Sequence, residues 1–251
     1  MAYRLAANRD DYQDLASGFV FRSAPGYPAF PVRLAEELLL RSAAHLPHRT
    51  PVGLWDPCCG SGYLASTVGL LHRDRLRHVL CSDADPDAVA LARRNLSLLT
   101  EAGLAERRTE LSERATAYGK PGYAAAARAT DRLAALLRAG GGDLASDARV
   151  ADGFDARQTA RILPDPPPDL VLTDVPYGRQ TGWRGAGAAA TEPLTALAGA
   201  LSEVLPEHAV IAVCAEARKL SLGEGVRALE RFRVGKRAAI IVRAGDLRGL
   251  A

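Results

Sequence analysis

The sequence predicts an α/β protein with a doubly wound, mostly parallel sheet that has helices on both faces. Short apolar runs alternate with helical patterns from residue 52 to residue 214, and this alternation is typical of a parallel sheet. Four of the apolar runs are followed by an aspartate, at the strand ends where such sheets bind ligands. Two further apolar runs around Gly235-Lys236 predict an antiparallel hairpin at the C-terminal edge.

The chain is predicted to consist of an N-terminal extension, residues 1–50, packed on a core domain, residues 51–251. The extension is turn-rich up to Ala29, and its helix follows Pro31. An Ala- and Arg-rich segment at 104–146 interrupts the core domain. Because this segment is too short for a core of its own, we interpret it as an inserted helical hairpin.

Apolar periodicity and turn residues predict the individual elements. Strands are predicted at 52–55, 78–82, 148–151, 170–173, 209–214, 232–234 and 238–242. Helices are predicted at 32–45, 63–72, from 86 to a point before 103, and at 105–117, 122–139, 157–163, 193–204 and 226–230. Asp85 is the predicted N-cap of the helix that starts at Pro86, since Asp is a preferred N-cap and Pro a preferred first helical residue.

The composition excludes several protein classes. Of the 251 residues, 48% are hydrophobic and 24% are charged, so the chain can bury a large core and is not disordered. No run of about 20 apolar residues predicts a membrane span, and the N-terminus lacks the apolar stretch of a secretory signal. The four cysteines match neither a disulfide scaffold nor a common zinc spacing, which predicts a reducing, cytoplasmic location.

The loop after the first strand, Asp56-Pro57-Cys58-Cys59-Gly60-Ser61-Gly62, discriminates between cofactor classes. It lacks the Gly-x-Gly-x-x-Gly spacing of dinucleotide-binding folds, which excludes a nicotinamide oxidoreductase. It also lacks the Gly-Lys-Ser/Thr of a nucleoside-triphosphate loop. The carboxylate of Asp56 is badly placed for a pyrophosphate and suits a cationic or zwitterionic ligand.

This loop resembles motif I of class I methyltransferases, which have a Rossmann-like fold and depend on S-adenosyl-L-methionine. The resemblance implies that Asp56 lies beside the amino end of that cofactor and that Gly60 and Gly62 pass beneath it. It also implies that Asp83 holds the ribose hydroxyls and that Asp152 contacts the adenine amine. Neither a metal ion nor a covalent nucleophile is expected.

The fourth strand end, Asp174-Val175-Pro176-Tyr177, resembles the Asp/Asn-Pro-Pro-Tyr/Phe motif of methyltransferases that act on planar exocyclic nitrogens. The resemblance implies three catalytic residues. Asp174 and the backbone carbonyl beside Pro176 would accept hydrogen bonds from the target nitrogen, and Tyr177 would stack on the target base. Val175 departs from the usual first proline, and this form resembles a branch that methylates guanine in RNA.

Over residues 18–247, the chain resembles the avilamycin-resistance 23S rRNA methyltransferases of the AviRa type. The matching stretches include residues 55–64, 69–73, 118–121, 172–178, 208–213 and 228–231. The resemblance implies methylation of a guanosine base in 23S rRNA, either free or within the large ribosomal subunit, and resistance to a ribosome-targeting antibiotic. We expect a monomer.

Arginine supplies almost all of the positive charge, because only three lysines are present. The net charge of +3 and pI of about 8.8 do not by themselves indicate nucleic acid. Arg179, Trp183 and Arg184 are the predicted RNA-binding residues, since they directly follow the Asp174 motif and can stack on and neutralise a nucleotide. Other basic clusters compatible with RNA are Arg73, Arg75 and Arg77; Arg107 and Arg108; and Arg231, Arg233, Lys236 and Arg237.

Two alternatives remain open from the sequence. The first is a methyltransferase with the same fold that acts on another RNA, on a small molecule or on a protein amide. An enclosed lid would favour a small substrate, and arginine clusters around the pocket mouth favour RNA. The second is a non-catalytic RNA-binding module, against which the intact Asp174 motif counts. A cysteine-dependent methylation of carbon is disfavoured because Cys58, Cys59 and Cys81 do not lie after that motif.

Overall fold

The computed structural model describes residues 3–7, 11–16, 18–47, 51–175, 183, 190–223 and 225–248. Its strands are β1 (Val52–Asp56), β2 (Leu76–Asp83), β3 (Ala145–Val150), β4 (Leu170–Asp174), β5 (Val210–Glu216), β6 (Glu230–Val234) and β7 (Arg237–Arg243). They form one sheet in the order β3-β2-β1-β4-β5-β7-β6. The first five strands are parallel, and β7 runs antiparallel to both β5 and β6. The predicted mostly parallel sheet with an antiparallel C-terminal hairpin is therefore confirmed.

Helices cover both faces of this sheet, as predicted. They are α1 (Val32–Ala43), α2 (Tyr63–Leu71), α3 (Pro86–Leu96), α4 (Glu101–Tyr118), α5 (Pro121–Ala139), α6 (Ala156–Ile162) and α7 (Pro193–Val204). Apolar residues of α1, α2 and α3 form one core cluster with the sheet, and those of α7 form a second cluster on the opposite face. Asp85 caps α3 by accepting a hydrogen bond from the Asp87 amide, which confirms its predicted role.

One predicted helix, at 226–230, is absent, and one predicted helix boundary is wrong. Residues 226–229 are not helical, and Glu230 starts β6, because the Leu229 amide donates to the Ile241 carbonyl and aligns the chain with β7. Gly103 lies inside α4, since α3 already ends at Leu96 and Thr100 caps a new helix by accepting from the Gly103 amide. Strand pairing in the first case and a new cap in the second override the local helical pattern.

The segment inserted after α3 is an antiparallel pair of helices, α4 and α5, that shares the core of the domain. Leu104, Leu133 and Leu137 belong to the cluster formed by α1, α2 and the sheet. Only Leu111 with two alanines of α5 forms a separate small cluster. The helical pair is thus held mainly by the main core.

The buried carboxylate of Glu37 in α1 holds the start of the N-terminal segment. It accepts hydrogen bonds from the amides of Arg4, Leu5 and Ala6 at 2.6 to 2.8 Å and from Arg41 Nε at 2.6 Å. Burial raises the pKa of Glu37, but these donors outweigh it, and the net pKa lies below the ordinary value of 4.5. The ionised form is therefore the one that stabilises the fold.

Replacing Glu37 with Gln is expected to lower the free energy of unfolding by about 2–4 kcal/mol, because Gln lacks the charge and one of the acceptor oxygens. Urea denaturation at pH 7 measures this change. The exposed Glu101, paired with Arg138 on the surface, provides the matched control, and Glu101→Gln should cost under about 1 kcal/mol. The difference between the two variants should shrink as the pH falls from about 4.5 through the lowered pKa that Glu37 has in the folded protein. Equal destabilisation by both variants would contradict this assignment.

Candidate active site

Three of the four predicted aspartates are the last residues of neighbouring parallel strands. Asp56 ends β1, Asp83 ends β2 and Asp174 ends β4. Asp152 follows the end of β3 by two residues. Since β3, β2, β1 and β4 are adjacent in the sheet, all four residues lie along one edge of it.

The loop between β1 and α2 requires glycine at two positions. Gly60 has φ 51° and Gly62 has φ 69°, both in the left-handed region that disfavours other residues. A Cβ atom at Gly62 would lie 3.0 Å from the Cβ and 3.1 Å from the Cα of Ala92 in α3. The two glycines therefore let the loop turn tightly and let α2 approach α3.

Asp83 is fixed at the mouth of this loop by two backbone amides. Its Oδ2 accepts from the Gly60 amide at 3.0 Å, and its Oδ1 accepts from the Asp85 amide at 3.0 Å. A carboxylate offers about four acceptor positions, so further hydrogen bonds can be accepted from a diol. The position and chemistry fit a ribose that carries two adjacent hydroxyls.

Asp56 is only 2% exposed. Burial raises its pKa to about 8, and the nearby charges of Asp83 and Asp174 act in the same direction, while the Thr173 hydroxyl and the Cys58 amide oppose it. Such a carboxyl is largely protonated at pH 7 and becomes ionised when a cation binds beside it. This behaviour fits the ammonium end of an amino-acid ligand.

Asp152 belongs to a loop that packs against the glycine-rich one. Its Oδ1 accepts from the Phe154 amide at 3.1 Å, and a Cβ atom at Gly153 would lie 3.5 Å from the Pro57 carbonyl. Phe154 contacts Trp183 edge to face, with ring centroids 5.3 Å apart. The structure thus places Trp183, a predicted RNA-binding residue, against the loop that carries Asp152.

Asp174 forms an ion pair with Arg237, the first residue of β7. Burial raises the pKa of Asp174 to about 6; Arg237 lowers it and Glu216 raises it further. The sequence predicts Arg237 only as a member of a basic cluster, not as a residue of the site. The predicted C-terminal hairpin is the sequence signal for this contact. A strand that pairs antiparallel with β5, as β7 does, begins beside the last residues of β5.

Tyr27 of the N-terminal segment also lies at this edge, although it was not among the predicted site residues. Its hydroxyl donates to Asp85 Oδ2 at 2.6 Å. Its ring would lie 3.8 Å from a Cβ atom at Gly60. No local pattern in the sequence indicates this contact, because 58 residues separate the two partners.

The other predicted residues are placed as follows. Pro176, Tyr177, Arg179 and Arg184 lie outside the described residues. Arg107 is 4% exposed and donates to the Val20 carbonyl, so burial makes this member of the predicted basic clusters unavailable to RNA.

All four cysteines are free. In the described ranges, no group of His, Cys, Asp or Glu residues is arranged to hold a metal ion. None of the helices in the described part of the chain has the length and apolar content that crossing a membrane needs.

Comparison with known proteins identifies the family. The family described as rRNA methyltransferase AviRa matches residues 1–237. The 23S rRNA (guanine(2535)-N(1))-methyltransferase of Streptomyces viridochromogenes is 51% identical over 246 residues, which cover 98% of this chain and 97% of that protein. Two structures of rRNA methyltransferase AviRa from the same organism, at 1.5 and 2.4 Å, have TM-scores of 0.91 with 48% and 50% identity, and the match covers 98% of both chains in each case.

These matches extend over nearly the whole chain, including the inserted helices and the strand ends that carry the four aspartates. They confirm the class I methyltransferase fold and the predicted cofactor, S-adenosyl-L-methionine. The chain belongs to the AviRa family of rRNA methyltransferases.

Proposed function

We propose that the protein methylates N1 of a guanine in 23S rRNA. The observation that carries the proposal is the 51% identity, over 98% of the chain, to a relative named for that activity. The ionisable Asp174 at the edge of the cofactor loops supports it, because N1 of neutral guanine bears a proton that must be removed. The same identity favours an RNA substrate over the small-molecule and non-catalytic alternatives.

The described residues fit S-adenosyl-L-methionine, which supplies an electrophilic methyl group on a sulfonium when bound. Asp83 would accept hydrogen bonds from the ribose hydroxyls, and Asp152 would accept one from the adenine amine. Asp56 would lie beside the ammonium group, while the backbone of Gly60 and Gly62 would pass beneath the ligand. The two amide-fixed oxygens of Asp83, the buried carboxyl of Asp56 and the left-handed glycines support the roles proposed for those residues.

Cofactor binding is expected to release about one proton per molecule at pH 7, because Asp56 has a pKa of about 8 and its ionised form pairs with the incoming ammonium. Calorimetric titrations in buffers of different ionisation enthalpy measure this proton. The affinity should also rise between about pH 6 and pH 8. In the Asp56→Asn variant the release should disappear. Proton release that persists in this variant would assign it to another group.

Asp174 would act as the base and as an orienting group for the target. With a pKa of about 6, its carboxylate is mostly ionised at pH 7 and can take the N1 proton of guanine. Bound S-adenosyl-L-methionine would supply the methyl group to the N1 electron pair that this transfer frees, and S-adenosylhomocysteine would be the leaving group. The site contributes mainly positioning, since the attack must be in line with the breaking bond. Pro176 and Tyr177 keep their predicted roles beside the target base.

The proposed partner is 23S rRNA, free or within the large ribosomal subunit, with Arg179, Trp183 and Arg184 as RNA-binding residues. We further propose a monomer that acts in the cytoplasm, where this substrate is found. Methylation would lower the affinity of a ribosome-targeting antibiotic for its site and so confer resistance.

The experiment that tests the function uses the purified protein with labelled S-adenosyl-L-methionine and separately with 23S rRNA, 16S rRNA and large subunits. Label is expected in 23S rRNA and not in 16S rRNA. Because N1 lies on the pairing edge of guanine, its methylation blocks reverse transcription, and primer extension should stop at one guanosine. Labelling of 16S rRNA alone, or of none of the three substrates, would overturn the proposal.

A further inference from the structure

The ion pair between Arg237 and Asp174 offers a hydrogen-bond donor and an acceptor side by side at the proposed site. We propose that Arg237 binds O6 of the target guanine while Asp174 binds its N1–H, so that the pair selects guanine and stabilises the charge that develops on O6. The inference rests on the proposed function, because it concerns how the same site recognises and activates guanine N1.

The sheet brings the two residues together from distant parts of the chain. Asp174 is paired in register with Cys214 of β5, and Glu216 of the same strand is paired with Arg237 of β7. Arg237 thus lies at the carboxyl ends of the parallel strands. It is on β7, and β5 separates β7 from the β4 strand that carries Asp174. Its Nη1 donates to Asp174 Oδ1 across the end of β5.

The ion pair contacts the buried ring of Phe30 and remains partly exposed to solvent. The guanidinium carbon lies 5.1 Å from the ring centroid of Phe30, which is itself 5% exposed and part of the core. The side chains of Arg237 and Asp174 keep 18% and 26% of their area exposed. A planar base can therefore reach both groups, while Phe30 limits the movement of the guanidinium.

The pattern of charges matches guanine and opposes adenine. Guanine presents an acceptor, O6, beside a donor, N1–H, and these face the guanidinium and the carboxylate respectively. Adenine presents the reverse, a donor at N6 and an acceptor at N1. A guanidinium has five N–H groups, so Arg237 can bind O6 and still hold Asp174. Adenine in the same position would place its N6 donor against the guanidinium donors and its N1 acceptor against the carboxylate oxygens.

The same arrangement assists the chemical step. When the N1 proton moves to Asp174, the electron pair of the N1–H bond stays on the base and is delocalised onto O6. A fixed guanidinium at O6 stabilises this charge without reorganisation, as donors in an oxyanion hole do. Formation of the N1–methyl bond then returns the base to neutrality, since the leaving sulfur takes the electron pair of the broken bond.

Several charged and titratable groups face Asp174. They are Arg237 on β7, Glu216 and Cys214 on β5, and Asp56 on β1. Arg237 is the cation among them, and it lowers the pKa of Asp174, whereas Glu216 raises it. Removing Arg237 should therefore raise this pKa and move the acidic limb of the rate profile to higher pH.

The test compares Arg237→Gln and Arg237→Lys with the unchanged protein in single-turnover methylation of the mapped RNA between pH 5.5 and 8.5. We expect Arg237→Gln to lower the rate by about 10²–10³-fold and to shift the acidic limb upward. Arg237→Lys should recover part of the rate. The cofactor dissociation constant, measured by calorimetry, should stay within a few fold. The exposed Arg248, paired with Glu207, provides the control Arg248→Gln, which should change neither quantity.

A substrate with 6-thioguanosine at the target tests the contact with O6 itself, because sulfur is the weaker acceptor. The unchanged protein should methylate it more slowly than guanosine, and Arg237→Gln should show little difference between the two. A rate and pH profile of Arg237→Gln equal to those of the unchanged protein would overturn the inference, as would loss of cofactor binding in both Arg237 variants. Failure of the unchanged protein to methylate guanosine N1 would instead overturn the proposed function.

Discussion

Replacing Asp174 with Asn is expected to lower the rate of methyl transfer by about 10²–10⁴-fold, the range for loss of a positioned general base. Asn keeps the shape and one acceptor oxygen but cannot take the N1 proton. It also leaves Arg237 without its anionic partner at the edge of the sheet. Single-turnover assays on 23S rRNA measure the rate, and calorimetry measures cofactor affinity, which should stay within about tenfold.

Asp131→Asn is the matched control for this substitution. Asp131 lies on α5, where it is exposed and pairs with Arg108 at 3.3 Å. Exposed ion pairs of this kind contribute about 0–1 kcal/mol, so the variant should fold and react as the unchanged protein does. If Asp174→Asn kept activity within tenfold of this control, Asp174 would not be the base.

Replacing Asp83 with Ala should raise the dissociation constant of S-adenosyl-L-methionine by about 10²-fold or more. The variant loses charged hydrogen bonds to the ribose, each worth about 1.5–3 kcal/mol. It also frees the amides of Gly60 and Asp85, which the carboxylate holds at 3.0 Å. Calorimetry with the cofactor and with S-adenosylhomocysteine should give similar losses, because both contain the same ribose.

Asp87→Ala provides the comparison, since Asp87 is exposed on the same segment and the capping role belongs to Asp85. This variant should change the dissociation constant of S-adenosyl-L-methionine by less than about threefold, because an exposed charge has only a small effect. Thermal melting of both variants checks that the fold is retained. Equal affinities for Asp83→Ala and Asp87→Ala would remove Asp83 from the cofactor site.

The part of the site that was predictable depends on local rules. Asp56, Asp83 and Asp174 each follow a short apolar run, and parallel strands bring their carboxyl ends to one edge whatever their order. The glycine spacing in the first loop limited the choice of cofactor for a similar reason, because the backbone conformation at Gly60 and Gly62 is a local requirement.

The rest depends on contacts between distant segments. Arg237 pairs with Asp174 because β7 inserts between β5 and β6 in the sheet order. Tyr27 reaches Asp85 because the N-terminal segment folds back over α3. Arg107 looked like a surface cation but is buried against the Val20 carbonyl. None of these pairings is specified by spacing along the chain.

The most direct test of the central claim is the identity of the methylated nucleoside. Large subunits or 23S rRNA treated with the protein are digested to nucleosides and analysed by mass spectrometry against authentic standards. A gain of 1-methylguanosine is expected, absent when Asp174→Asn replaces the unchanged protein. Formation of N2-methylguanosine or of a methylated adenosine instead would contradict the assignment of Asp174 and Arg237 to the N1 edge of guanine.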